Sequence, residues 1–133
     1  MSINENLKAI KEKIEATKRK KGIDTHVQIV AATKNHPQVT INKCINAGIL
    51  CIGENRIQEA EKNFKDIEHS GKIKKRFIGH LQSNKISKCL KLFNTIDSVD
   101  TFNLSRKISW AAKNKSNPIP VLLEINTHKE KKK

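Results

Sequence analysis

Apolar residues recur along the chain in two alternating patterns, one typical of helices and one typical of buried strands. Ser2 and Glu5 form a capping-box pattern ahead of a helix whose apolar residues follow at spacings of four, three and four. Residues 27–32 are short, mostly apolar and β-branched, which predicts a buried strand. This strand ends at Lys34 and its polar neighbours.

The same order of helix and strand continues along the rest of the chain. Further strands are predicted at residues 50–52, 77–78, 95–96 and 121–126. Parallel neighbours need a crossover of a dozen or more residues, and the strands recur at a period of roughly 20 to 26 residues. The sequence therefore predicts βα units, a parallel sheet and an α/β fold in one domain of 133 residues.

The charge balance is strongly basic, with 27 Lys and Arg against 13 Asp and Glu and a formal net charge of +14. Such a chain attracts phosphates, nucleic acid and anionic surfaces at long range. The lysines are spread over the whole length, and four Phe, one Trp and no Tyr leave little for base stacking. We therefore expect generic attraction to polyanions and no specific nucleic-acid partner.

The cysteines and the N-terminal segment bear on the cellular compartment. Cys44, Cys51 and Cys89 are odd in number and lack C-x-x-C spacing, so we expect neither disulfides nor a zinc site. The histidines have no metal-ligand spacing either, and we assign no metal. Charges interrupt every apolar run near the N-terminus, and no stretch approaches the roughly 20 apolar residues of a membrane span. The sequence predicts a soluble, cytoplasmic protein with no membrane partner.

Polar residues that are able to do chemistry follow every predicted strand. They are Lys34, Glu54, Asn55, His80, Gln82, Asp97, Ser98, Glu124 and Asn126. Because the carboxyl ends of parallel strands form the edge at which α/β folds bind ligands, we expect the functional site there. The five glycines stand singly, so neither a dinucleotide motif nor a P-loop is predicted.

Lys34 stands out by its position at the end of the first strand. An amine held among apolar neighbours is more easily neutral, because burial disfavours the charged form. Only the neutral amine attacks an aldehyde, as Schiff-base formation with pyridoxal phosphate or with a carbonyl substrate requires. Position alone leaves both a cofactor lysine and an aldolase-type lysine open.

Five segments resemble the pyridoxal phosphate homeostasis protein family in their order and spacing. They are IVAATK at 29–34, GENRIQE at 53–59, FIGHLQSNK at 77–85, TIDSV at 95–99 and EIN at 124–126. The second and third runs are long enough to be specific, and the resemblance covers nearly the whole chain. It implies the fold of the alanine racemase N-terminal domain, a (β/α) TIM-type barrel, of which residues 1–133 supply about the first five βα units.

The resemblance also implies a function in pyridoxal 5′-phosphate homeostasis, with the cofactor held as a Schiff base on Lys34. Proteins of this family are similar to racemases in fold but are regarded as carriers and regulators of the cofactor. The absence of Tyr agrees with this, since the racemase uses a tyrosine as its second base. We therefore expect no catalytic residues. A Schiff-base enzyme of the racemase or lyase kind is one alternative, and a fragment that binds polyanions generically is another.

The family pattern implies four further residues near the cofactor. It sets Asn55 beside the cofactor ring, and the same mouth is lined by His80, Gln82 and Asn84. Asn55 could also cap the helix that follows it, as Ser83 could cap the next one. His80 could be a structural histidine, because the sequence fixes no carboxylate partner for it.

Two departures from the family stand out. The first strand ends in ATKNHP where the family usually has Val-Ser-Lys-Thr before the proline, which changes the neighbours of Lys34 but keeps the lysine. The chain also stops after the fifth strand, in a charged tail at residues 129–133, where the family continues for roughly three more of the eight βα units. We therefore expect a truncated chain.

The expected truncation has two physical consequences. In such barrels the loops after strands seven and eight bind phosphate, so we expect cofactor binding much weaker than the family's. An open sheet has two edges with unpaired backbone groups and uncovered apolar surface, so we expect self-association through those edges.

Overall fold

Strands and helices alternate along residues 2–127, which are the residues that the computed structural model describes. The helices are Ile3–Lys21 (α1), Gln38–Asn46 (α2), Ile57–Asn63 (α3), Ile86–Leu92 (α4) and Phe102–Ala111 (α5). The strands are Ala31–Ala32 (β1), Cys51–Glu54 (β2), Lys74–Phe77 (β3), Thr95–Val99 (β4) and Val121–Leu123 (β5). Two 3₁₀ helices, Ser70–Lys72 and Ser83–Lys85, precede β3 and α4. The predicted tail at residues 129–133 lies outside the described residues.

The five strands form one parallel sheet in the order β1-β2-β3-β4-β5. Each strand pairs with its neighbour in sequence, and one α-helix crosses over between each pair. A doubly wound sheet reverses its strand order, whereas a barrel adds strands in one direction. The arrangement confirms the predicted α/β fold class and a partial (β/α) barrel, with four complete βα units and a fifth strand among the described residues.

The main core lies between the sheet and the helices that cross over it. Ile52, Phe77 and Ile96, from three neighbouring strands, are fully buried and belong to one apolar cluster with helix residues. The Phe93 ring contacts Phe77 and Phe64 edge to face, at centroid distances of 5.2 and 5.4 Å, a favoured aromatic geometry. Since side chains alternate along a strand, the intervening residues face the other side of the sheet.

Helix α1 begins and ends as its sequence predicts but adds little to the core. Ser2 Oγ accepts a hydrogen bond from the Glu5 N–H at 3.2 Å, and Glu5 Oε2 accepts one from the Ser2 N–H at 2.7 Å, which confirms the capping box. Gly22 follows the helix at φ +62°, in the left-handed region that favours glycine. Leu7 is the buried residue of α1. None of the helices within residues 2–127 has the length and apolar character needed to cross a membrane.

Strand β1 is shorter than the predicted run at residues 27–32. The register pairs Ala31 with Ile52. In that register residues 27–29 would lie opposite residues 48–50, which precede the start of β2. Residues 27–29 therefore lie beyond the start of β2, and the ladder begins at Ala31 and Ile52, one residue after the first residue of β2.

Strand β5 is likewise shorter than the predicted run at residues 121–126. It ends at Leu123, which pairs with Val99, the last residue of β4. Leu122, Leu123 and Ile125 are exposed. Among the described residues β1 and β5 each have one hydrogen-bonded neighbour, so both edges of the sheet carry unpaired backbone groups.

Strand β3 begins earlier than the apolar pattern predicts, in the basic run that precedes Phe77. Lys75 Nζ lies 5.3 Å from the centroid of the Phe64 ring and donates to Ser70 Oγ at 2.8 Å. Burial lowers the pKa of this amine. The long aliphatic stem of a lysine can pack while its amine keeps a polar partner, so a basic residue is compatible with this strand position.

Replacing Phe77 tests the core directly. We expect Phe77→Ala to lower the free energy of unfolding by about 3–5 kcal/mol, because a fully buried ring is lost. The matched control is Phe102→Ala, where the ring is 79% exposed and the expected change is within about 0.5 kcal/mol. Urea unfolding measures both. Equal effects of the two substitutions would contradict the described core.

Candidate functional site

The carboxyl edge of the sheet brings the ends of β1, β2 and β3 side by side. The Thr33 N–H donates to the Gly53 carbonyl at 2.9 Å, and the Ile78 N–H donates to the Glu54 carbonyl at 2.9 Å. The ladder therefore extends past the strands into the turns that follow them. The turns after these three strands contain Lys34, Asn55, His80 and Gln82.

A buried pair of side chains joins the turn after β1 to the end of β2. The Thr33 hydroxyl lies 2.6 Å from Glu54 Oε1 and 3.3 Å from the Gly53 carbonyl oxygen. Thr33 is 3% exposed and Glu54 is 0% exposed. The residue before Lys34 is thus fixed to β2 through both its backbone and its side chain.

Side chains of helix α3 bind the residues that follow Lys34. Asn35 has φ +63°, a left-handed conformation that asparagine adopts more readily than most residues. Its N–H donates to Glu59 Oε2 at 3.3 Å, and Asn63 Nδ2 donates to the His36 carbonyl at 3.3 Å. The turn is therefore bonded on both sides of the lysine.

The side chain of Lys34 itself is exposed. The expectation that the Lys34 amine lies among apolar neighbours is therefore not met. The cause is the position of β1 at the edge of the described sheet, where it has one neighbouring strand. Lys34 is held by its backbone neighbours and presents its amine to solvent.

Glu54 is a carboxyl group in a desolvated position. Burial raises the pKa of Glu54, while the hydrogen bond from Thr33 acts in the opposite direction and the nearby charge of Glu59 raises it further. Within the described residues Glu54 Oε2 is buried without a hydrogen-bond partner. The neutral form of Glu54 is therefore favoured over a wider pH range than in an exposed glutamate.

Asn55 lies in a small cavity together with two other predicted site residues. The cavity has a volume of about 120 Å³, and its lining includes Asn55, His80 and Gln82. Asn55 Oδ1 is buried and has no hydrogen-bond partner among the described residues. Helix α3 begins after Arg56 with no side-chain cap, so the alternative that Asn55 caps this helix is wrong. An unpaired acceptor in a cavity is suited to a ligand that donates a hydrogen bond.

Gly79 allows the turns after β2 and β3 to approach each other. A Cβ atom at this position would lie 2.2 Å from the Asn55 carbonyl oxygen and 2.6 Å from the Asn55 Cα. Only a residue without a side chain fits against this backbone. Gly79 therefore sets the distance between Asn55 and the turn that carries His80.

The His80 side chain is held by few contacts. Its side chain is 75% exposed, and its Nδ1 lies 3.9 Å from Asp100 Oδ2. No carboxylate partner for His80 was predictable from sequence spacing, because Asp100 follows β4, the next strand along the chain. At this distance and exposure the pairing contributes little.

The structure does not bring Asn84 to the cavity of Asn55. Asn84 lines a wide groove beside α4 and α5 that also includes Arg106 and Trp110. Ser83, the proposed cap of the next helix, accepts a hydrogen bond from Lys107 Nζ at 3.2 Å. Helix α4 begins after Lys85 with no side-chain cap, so that alternative is wrong as well.

Sequence reasoning missed an ion pair on the face of the sheet opposite the main core. Arg76 Nε and Nη2 donate to the two carboxylate oxygens of Asp97 at 2.6 and 3.0 Å, and both side chains are 14% exposed. Thr95 Oγ1 lies 2.9 Å from Asp97 Oδ1. The hydrogen bonds to Asp97 raise the pKa of Arg76. A bidentate arginine pair ties β3 to β4 at this position.

The chain has relatives among curated proteins over nearly all of its length. It is 30% identical over 135 residues to the pyridoxal phosphate homeostasis protein of Haemophilus influenzae, a match that covers 100% of this chain and 57% of that protein. It is 31% identical over 137 residues to the mouse protein of the same name, with 96% and 50% covered. The chain therefore spans about half the length of the curated relatives it matches. No protein-family model matches it.

A solved structure agrees with the sequence relatives. PipY of Synechococcus elongatus, solved with PLP (pyridoxal phosphate) bound, superposes with a TM-score of 0.71 at 30% identity. The match covers 84% of this chain and 49% of PipY. The fold of the described residues is therefore similar to that of about half of a protein that binds this cofactor.

Replacing Gly79 tests the close approach of the two turns. We expect Gly79→Ala to lower the free energy of unfolding by about 1–3 kcal/mol, because the backbone of Asn55 must move. Gly71→Ala is the control, since a Cβ there meets nothing within 4 Å. It should be neutral or stabilising by up to about 1 kcal/mol. Thermal unfolding compares the two, and a neutral Gly79→Ala would contradict the described contact.

The raised pKa of Glu54 predicts a specific pH dependence of stability. Above the ordinary value of 4.5 the unfolded chain loses the proton of Glu54 before the folded chain does. The wild type should therefore lose stability relative to Glu54→Gln as the pH rises from 4.5 towards the raised pKa. Urea unfolding of both proteins between about pH 4 and pH 8 measures the difference. A difference that does not vary with pH would show that the carboxyl group is not shifted.

Proposed function

The chain belongs to the pyridoxal phosphate homeostasis protein family over the half of the family's length that it spans, and from this premise we propose that it holds pyridoxal 5′-phosphate on Lys34 as a Schiff base. One observation carries the proposal: Lys34 lies in the turn after β1, at the carboxyl edge of a sheet similar to that of PipY. Ligands of parallel α/β folds bind at this edge.

The residues at this edge fit the chemistry of the cofactor. When bound, the cofactor would supply an aldehyde, and Lys34 would hold it through a C=N bond to its neutral amine, with loss of water. The exposed amine of Lys34 is accessible for that reaction. The unpaired Oδ1 of Asn55 offers an acceptor at the same edge, and the turn after β3 adds the side chains of His80 and Gln82.

The size of the cavity limits how much of the cofactor it holds. At about 120 Å³ it is smaller than the roughly 300–1,000 Å³ of most small-molecule sites. The proposed site therefore encloses one edge of the cofactor at Asn55 and leaves the rest open along the sheet edge. Asn84 is not part of it, because it lines a different groove.

The proposed role is that of a carrier and regulator of the cofactor rather than an enzyme. The names of the curated relatives refer to homeostasis and support this role. A reducing, cytoplasmic compartment is part of the proposal. It is supported by Cys44, Cys51 and Cys89, which are free cysteines.

Reductive labelling tests the proposed cofactor lysine. Purified chain is mixed with a limiting amount of pyridoxal 5′-phosphate, reduced with borohydride and mapped by peptide mass spectrometry. We expect most of the label at Lys34, because its turn is ordered and its amine is accessible. Lys34→Ala should lose that label.

The matched control is Lys72→Ala, which removes another exposed lysine. Label that spreads over the surface lysines and is unchanged by Lys34→Ala would overturn the proposal. The same labelling pattern in Lys34→Ala and Lys72→Ala would show that the cofactor reacts with surface lysines in general.

A further inference from the structure

We propose that Glu54, Glu59 and Asn63 are positioning residues that hold the turn around Lys34. Each of them binds a different group of the turn, and together they bind both of its sides. The inference rests on the proposed function, because it concerns the lysine proposed to carry the cofactor. It goes beyond the proposed function by assigning a role to three side chains that do not line the cavity of Asn55.

Glu54 holds the residue that precedes the lysine. The Thr33 hydroxyl donates to Glu54 Oε1 at 2.6 Å, and both side chains are buried. A hydrogen bond to a carboxyl oxygen away from water is stronger than one at the surface. The bond therefore restricts rotation about the side-chain torsion of Thr33. It also restricts the backbone that leads into Lys34.

Glu59 and Asn63 hold the residues that follow the lysine. Asn35 is in a left-handed conformation at φ +63°, which costs free energy for any residue with a side chain, though less for asparagine than for most. Glu59 Oε2 accepts from the Asn35 N–H, and Asn63 Nδ2 donates to the His36 carbonyl, both at 3.3 Å. These bonds stabilise the reversal of the chain directly after Lys34.

The consequence is an ordered backbone that carries a free amine. Lys34 is exposed, while its neighbours on both sides are bonded to β2 and α3. Ordering of the turn then does not have to accompany ligand binding, which raises the effective concentration of the amine at the sheet edge. A turn held only for fold stability would change stability when weakened but would not change the reactivity of Lys34.

Thr33→Val is the variant that separates these two roles. It removes the hydroxyl and keeps the shape of the side chain. Thr33→Ser keeps the hydroxyl and should rescue the effect. Thr95→Val is the matched control, because Thr95 is also buried and also bonds a carboxylate, at 2.9 Å from Asp97 Oδ1, on β4.

Two readouts are made on variants whose circular dichroism matches the wild type. The first is the labelling of Lys34 with limiting pyridoxal 5′-phosphate and borohydride. We expect Thr33→Val to lower it by about tenfold, with Thr33→Ser and Thr95→Val close to the wild type. If Thr33→Val does not fold, Asn63→Ala is used in its place, because it removes the bond to the His36 carbonyl.

The second readout needs no cofactor. Trypsin cleaves after lysine, so the rate of cleavage between Lys34 and Asn35 in the native chain reports how well the turn is held. We expect Thr33→Val to raise this rate by about tenfold, and Thr33→Ser and Thr95→Val to leave it unchanged. An unchanged rate in Thr33→Val would overturn the positioning role.

The two readouts separate this inference from the proposed function. If wild-type Lys34 is not labelled preferentially but Thr33→Val is cleaved faster, the cofactor proposal fails and the holding of the turn is supported. If labelling of Lys34 is preferential and Thr33→Val changes neither readout, the cofactor proposal stands and the positioning role is overturned.

Discussion

The hydrogen bond between the Thr33 hydroxyl and the buried Glu54 carboxyl joins the two parts of the molecule that the site requires. Strand β1 contributes only Ala31 and Ala32 to the sheet, too few to hold the turn after it. The Thr33–Glu54 bond, with the backbone bond from Thr33 to Gly53, continues the connection to β2 past the end of the strand. The site therefore depends on a polar contact where the ladder ends.

The core and the site depend on each other through β2 and β3. Ile52 and Phe77 pack under the helices, and the same strands lead into the turns that carry Asn55 and His80. Gly79 lets these turns touch, at a position where any side chain would collide with backbone. Rigid strands covered by helices thus position short polar turns, which is the usual arrangement of binding sites in parallel α/β folds.

Local patterns in the sequence predicted the fold class, the parallel sheet, the capping box and the position of Lys34 after the first strand. The family motifs predicted Asn55, His80, Gln82 and Asn84; the first three line one cavity, whereas Asn84 lines a different groove. Contacts across the sheet were not predictable, because they depend on strand register: Arg76 meets Asp97 only once β3 and β4 are aligned. The exposure of Lys34 follows from the place of β1 in the sheet, which a single strand pattern does not contain.

The proposed site requires that β2 and α3 order the turn around Lys34 before any ligand binds. Amide hydrogen exchange of the isolated chain, followed residue by residue, measures that order. The N–H groups of Thr33 and Asn35 donate to Gly53 and Glu59, so they should exchange at least about a hundredfold more slowly than in an unstructured peptide. Exchange of both groups at the rate of an unstructured peptide would show that β2 and α3 do not hold the turn.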